Sequence, residues 1–158
     1  MKVFWYADGS TKDGYGHLFR IISIQKLSPI HYENIFLYSN DTQKNFYWSK
    51  GINAYDIKAD HDHDNVAHLI IDSKKNISEL LEQRSLKKFC GKIILIDSPN
   101  MDSIDIADIL IFPSFYINQD LVKQIKTKDK KVFFGTKYMI PNESSIPVSY
   151  THLRAHET

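Results

Sequence analysis

Cysteine is almost missing from this chain. Cys90 is the only one among 158 residues, so no internal disulfide can form and a cytoplasmic setting is expected. An excess of charge of either sign is missing too: 20 Lys and Arg stand against 19 Asp and Glu, a formal net charge of +1. That balance gives no reason to expect nucleic acid or an anionic membrane as partner. Long apolar runs are also absent, since Leu69–Ile71, Ile93–Ile96 and Ile109–Phe112 are far too short to span a bilayer. The chain enters a strand pattern directly after Met1, so neither a signal peptide nor a transmembrane helix is expected. Internal repeats and low-complexity stretches are lacking as well. What is present, 42% hydrophobic residues in a chain of this length, is the composition of a soluble globular protein of about one domain.

Apolar runs alternate with helix-length amphipathic segments. Strands are expected over Lys2–Tyr6, Ile35–Tyr38, Tyr55–Lys58, Ala67–Asp72, Lys92–Asp97, Ile109–Phe112 and Lys131–Phe134. Helices are expected over His17–Leu27, where Leu18, Ile21, Ile22 and Ile24 form a stripe that Pro29 ends, and over Ser78–Phe89 and Asp120–Thr127. Asn40–Lys50, polar and aromatic, reads as a loop. Continuous apolar strands separated by helices are what a parallel sheet covered on both faces requires, so the expected fold is a doubly wound, Rossmann-like α/β domain. Its ligand crevice lies at the carboxyl ends of the strands, where His17, Asp72 and Asp97 all fall.

Gly14-Tyr15-Gly16-His17-Leu18-Phe19-Arg20 is the most informative segment, because it joins the first strand to the first helix. Two glycines let the backbone turn tightly and approach a ligand, which makes the amides at the helix start available to an anion. Imidazole is the side chain best suited to taking a proton near neutral pH, and His17 stands at that point. Arg20, one turn later, shares its helix face and is a candidate for pairing with substrate or with a carboxylate such as Asp13. Asp8 is a candidate for orienting the glycine loop, and Asp72 for touching substrate from its strand end. His61 and His63 flank Asp62 as metal ligands do, but no third ligand accompanies them and a solvated turn is expected instead. Phe46-Tyr47-Trp48 offers rings for stacking on a sugar, although aromatics more often fill a core.

Residues 147–158 match, over twelve consecutive positions, the in-frame translation of a transposase-type sequencing adapter. They are expected to be foreign to the natural reading frame, and His152 and His156 are set aside with them. One domain, residues 1–146, remains.

Lys2-Val3-Phe4 through Ala7-Asp8-Gly9-Ser10, then Gly14-x-Gly16-His17-x-x-Arg20, resembles the opening of the nucleotide-sugar hydrolases of pseudaminic acid biosynthesis and the related spore-coat polysaccharide proteins, the PseG/SpsG family. Leu69-Ile70-Ile71-Asp72-Ser73, Lys92 to Asp97, Ala107-Asp108-Ile109-Leu110 and Gly135-Thr136-Lys137-Tyr138-Met139-Ile140 follow in the family's order. The resemblance implies the N-terminal half of a two-domain glycosyltransferase-B-like fold, similar to MurG. It further implies hydrolysis of a UDP-sugar at its anomeric carbon without metal or other cofactor, in nonulosonic acid or surface polysaccharide synthesis. His17 matches the proposed general base, with Gly14, Tyr15, Gly16, Arg20, Asp8 and Asp72 as substrate-side residues. The chain departs from the family where Lys74 follows Asp72-Ser73, where Ser98 follows Asp97, and where Phe112-Pro113-Ser114 replaces an asparagine. A glycosyltransferase of the same fold, with His17 deprotonating an acceptor hydroxyl, is the alternative. A non-catalytic binding module is the third class.

Overall fold

The computed structural model describes residues 1–12, 14–27, 31–59, 66–82, 91–113 and 118–139. Asp13, the His61/His63 pair, Cys90 and the segment 147–158 lie outside the described residues. In chain order the elements are β1 (Lys2–Ala7), α1 (Gly16–Leu27), β2 (Glu33–Tyr38), α2 (Asp41–Ser49), β3 (Ala54–Asp56) and β4 (Val66–Asp72). Then come α3 (Ser78–Glu82), β5 (Lys92–Ile96), α4 (Met101–Ile106), β6 (Ile109–Phe112), α5 (Gln119–Lys126), β7 (Lys131–Phe134) and a 3₁₀ turn at Thr136–Tyr138. The strands form one seven-stranded sheet in the order β3-β2-β1-β4-β5-β6-β7, every neighbouring pair parallel. This is the doubly wound α/β sheet expected from the alternation. The chain winds from β1 out to β3, returns to lay β4 beside β1, and winds on in the other direction. That reversal opens a crevice at the carboxyl ends of β1 and β4.

Burial on both faces explains why the strands read as continuous apolar runs. Successive residues of β1 serve opposite layers: Val3, Trp5 and Ala7 pack with Leu18, Ile21 and Ile22 of α1 and with Phe46 and Tyr47 of α2. Phe4 and Tyr6 pack in the other layer, with Leu69, Ile71, Leu95, Leu110, Ile77, Ile104 and Ile125. The register of β1 against β4 contains one irregularity: Lys2 pairs with Val66, but Val3 pairs with His68, so β4 carries one extra residue there. Beyond it the pairing is regular to Ala7 opposite Asp72.

Two short helices depart from the sequence expectation. The segment read as a loop forms α2, started by Asn40, whose side chain accepts from the Gln43 backbone N–H at 2.9 Å. Asn100 starts α4 in the same way on the Ser103 N–H at 2.9 Å. Both are helices of a few turns at most, in which a cap and two or three buried side chains suffice and no long apolar stripe develops. Of the segment expected as a helix over Ser78–Phe89, the described part is helical over Ser78–Glu82. Among the described residues no helix is long and apolar enough to cross a membrane.

One buried group in the α1/α2 layer lacks a partner. The Tyr47 hydroxyl has none among the described residues, and burial first, then the nearby Tyr6 and Asp72, pushes its pKa well above the ordinary phenol value. Tyr47→Phe removes a desolvated hydroxyl without opening a cavity. Its denaturation midpoint should stay level or rise, by up to about 1 kcal/mol. A loss of that size in urea unfolding would show that the hydroxyl is bonded after all.

Candidate functional site

Between β1 and α1 the chain makes a small bend closed by the Gly14 N–H donating to Ser10 O at 2.9 Å. Gly14 has φ +76, a left-handed conformation that favours glycine. Gly16 is different. Its φ is not in that region, and a Cβ there would meet nothing within 4 Å, so the protein itself does not demand a glycine at the exposed first position of α1. Gly9 is required by packing, since its Cβ would lie 2.4 Å from Cδ1 of the buried Leu18.

α1 and the ends of β4 and β5 bring four charged or titratable groups together. His17 Nδ1 lies 2.6 Å from Asp72 Oδ1, and Arg20 grips the same carboxylate in a fork, Nε to Oδ2 at 2.5 Å and Nη2 to Oδ1 at 2.6 Å. The far side of the guanidinium reaches Asp97 Oδ2, at 3.3 Å from Nη1 and 3.2 Å from Nη2. The Asp72 side chain is fully buried, whereas those of His17 and Arg20 are 16% and 22% exposed. Burial by itself would lower the Arg20 pKa, but Asp72 and Asp97 outweigh it and hold the guanidinium above its ordinary value. A bidentate guanidinium marks Asp72 as an ionised acceptor, so the hydrogen of the short His17 contact belongs to Nδ1. The 3.1 Å approach of Arg20 Nη2 to Nδ1 then brings two donors side by side on one carboxylate oxygen. With Nδ1 protonated, neutral His17 carries its lone pair on Nε2, and no described residue hydrogen-bonds that atom.

Asp97 adds a backbone feature. Its N–H still pairs with Ile111 O at 2.9 Å, extending β5, but its φ of +54 is the one left-handed conformation among the described non-glycine residues. Aspartate tolerates this region better than most residues, and strain of this kind persists where surrounding structure over-determines it. The sequence places Asp97 only at the end of a strand; the structure makes it the outer support of Arg20.

Asp8 belongs to a second cluster, on the opposite side of the β1 and β4 ends. It is buried, and its Oδ2 accepts from Ser73 Oγ at 2.7 Å and from the Lys74 N–H at 3.2 Å. Gln43, also buried, ties α2 to the same region: Nε2 donates to Ala7 O at 2.9 Å, while Oε1 accepts from the Ser39 N–H at 2.6 Å and from Ser39 Oγ at 3.1 Å. Tyr6 Oη and Ser39 Oγ are 3.1 Å apart.

Of the residues singled out in the sequence, His17, Arg20 and Asp72 thus meet directly, Gly14 and Gly16 stand just before them in the chain, and Asp8 lines a cavity on the other side of the β4 end. Of the two roles open to Arg20, pairing with carboxylates is the one seen, its fork being engaged by Asp72 and Asp97. Tyr15 stacks on Phe46, ring centroids 5.2 Å apart, with Phe19 edge-on to the same ring at 4.9 Å. In the aromatic triplet, Phe46 and Tyr47 are core, and Trp48 is exposed with Lys44 Nζ 4.6 Å from its ring centre. Asp97 and Gln43 were missed as site residues. Asn40-x-x-Gln43 carries the spacing of a capping pair and was the available signal for Gln43; the partner of Asp97 lies 77 positions away, which no local pattern reports. Comparison of the chain with protein-family models, with curated proteins and with solved structures found no match.

Proposed function

We propose that this chain carries the catalytic half of a two-domain enzyme that hydrolyses a UDP-sugar at its anomeric carbon, with residues 1–146 as its first domain and His17 as the general base. The observation that supports it most is the orientation of His17: a buried carboxylate holds Nδ1–H, and Nε2 is left as the basic atom at the crevice. The motif resemblance supplies the substrate class. In this scheme Nε2 takes a proton from water, the water oxygen bonds to the anomeric carbon, and the bond from that carbon to the diphosphate oxygen breaks, so UDP leaves with the bonding electron pair. The exposed amides at the start of α1 face the developing charge on the diphosphate.

The test is UDP release from a panel of UDP-linked amino and deoxy sugars. The 158-residue chain, lacking the enclosure that a second domain gives, is expected to be slow, and the complete two-domain enzyme fast. Release that requires an added acceptor sugar would point to a transferase instead. Gly16→Ala adds a discriminating variant. With no strain and no clash at that position, its melting temperature should stay within a degree or so of the parent, while KM for the UDP-sugar rises at least about tenfold, since the added methyl holds the diphosphate off the amides and a contact to a charged group contributes roughly 1.5–3 kcal/mol. An unchanged KM would remove the helix start from the diphosphate site.

A further inference from the structure

We propose that the cavity at the carboxyl ends of β1, β2 and β4 is a carbohydrate subsite, in which Asp8 Oδ1 accepts a hydrogen bond from a sugar hydroxyl. The cavity has a volume of about 400 Å³ and is walled by Tyr6, Asp8, Ser39, Ser73 and, at two positions, Lys58 and Lys75. That volume lies at the lower end of the range of small-molecule sites, roughly 300–1,000 Å³.

Its chemistry follows from where the protons are. Asp8 is 4% exposed, and both of its described hydrogen bonds fall on Oδ2, so Oδ1 is an acceptor in a buried wall with no described donor. Ser73 gives its single proton to Asp8, and its oxygen accepts from the Lys75 N–H at 3.0 Å. Ser39 Oγ donates to Gln43 Oε1, a carbonyl oxygen that can only accept. Tyr6 therefore donates its proton to Ser39, and the phenol oxygen is left as a second acceptor. Burial, the leading effect, raises the Tyr6 pKa and keeps that proton in place. The three hydroxyls have no proton left for a ligand, so at Asp8 Oδ1 and the Tyr6 oxygen the ligand must bring the donors.

A phosphate dianion brings a single proton to these oxygens and meets the like charge of the buried Asp8 carboxylate. A neutral ring bearing several hydroxyls brings several donors without a like charge to set against Asp8. Asp72 and Ser73 are consecutive and face opposite sides, the first towards His17 and the second towards Asp8, so a ring here lies just across the end of β4 from the imidazole. In placing the ring beside a base this inference rests on the nucleotide-sugar reading, but ring binding is measurable without turnover.

The experiment is a titration of the isotopically labelled 158-residue chain with N-acetylglucosamine, followed by amide NMR, with inorganic phosphate as a parallel arm. Saturable shifts are expected at Ser39 and at Ser73 to Ile77 in the millimolar range, with none there from phosphate. Asp8→Asn should weaken sugar binding at least about tenfold, because a charged acceptor is replaced by an amide. Should that variant fail to fold, Tyr6→Phe, which removes the second acceptor together with the proton given to Ser39, is expected to weaken binding severalfold. Absence of saturable shifts, shifts unaltered in whichever variant folds, or the same shifts with phosphate would overturn the subsite. UDP release is assayed separately with UDP-N-acetylglucosamine and the wider panel. Retained sugar binding without UDP release from any of them rejects the hydrolase and leaves the subsite standing.

Discussion

Arg20→Ala is expected to destabilise the fold by about 3–5 kcal/mol, a large share of the 5–15 kcal/mol that holds a typical domain together. The side chain is only 22% exposed, and it is the main counter-charge of Asp72, whose own side chain is fully buried. Removing it leaves a carboxylate in the interior whose one remaining side-chain contact among the described residues is with His17 Nδ1. Exposed ion pairs contribute about 0–1 kcal/mol, so the size of the loss distinguishes a buried network from a surface pair. Arg20→Lys keeps the charge but not the fork, cannot reach both oxygens of Asp72 and Asp97 together, and should recover only part of the loss. The measurement is urea unfolding of parent, both single variants and the double variant Arg20→Met, Asp72→Leu. The double variant should be more stable than Arg20→Ala, because no charge is then stranded. A loss below about 1 kcal/mol for Arg20→Ala would mean that water reaches Asp72 and that the network is not buried in solution.

His17→Ala in the two-domain enzyme should lower kcat by about 10²- to 10⁴-fold, the usual contribution of a positioned general base. Folding should be little affected, since Arg20 still neutralises Asp72. Asp72→Asn is the informative companion. The amide can present its nitrogen to Nδ1 and drive the imidazole to the tautomer with the hydrogen on Nε2, which converts the base into a donor. The two variants should then show similar losses, and their combination little more than either alone, because they act as a unit. Near-normal UDP release by His17→Ala would exclude the imidazole as base. Equal losses in kcat with an unchanged pH profile would point to a role in orientation rather than in proton transfer.

The parts of the fold that were legible are those with a dense local signal. Strands buried on both faces, such as Leu69–Ile71 and Ile93–Ile96, announce themselves as uninterrupted apolar runs, and their alternation with α1 and α5 was enough for a parallel, doubly wound sheet. His17 and Asp72 were legible as site residues because each stands at the carboxyl edge of that sheet. α2 was not, because Phe46 and Tyr47 are adjacent and supply no long helical stripe; its start is written in Asn40 and Gln43 instead. Asp97 was underrated because its role depends on a left-handed backbone and on a partner brought in by topology. The acceptor wall around Asp8 was out of reach for the same reason: Tyr6, Ser39, Gln43 and Ser73 come from four places in the chain, and only the direction of each proton reveals what they ask of a ligand.

The extra residue at the amino end of β4 bears on how this edge tolerates changes in chain length. Side chains on a strand alternate faces, so one residue more or fewer between His68 and Asp72 exchanges inside for outside at every later position. Asp72 would then turn from Arg20 to the layer of Tyr6, and Ser73 after a deletion, or Ile71 after an insertion, would take its place beside the imidazole. At the other end the irregularity opposite Lys2 and Val3 absorbs a length difference before the regular pairing begins. Insertions and deletions ahead of His68 should therefore be forgiven, whereas a single one after it disarms the base and the neighbouring cavity in one step.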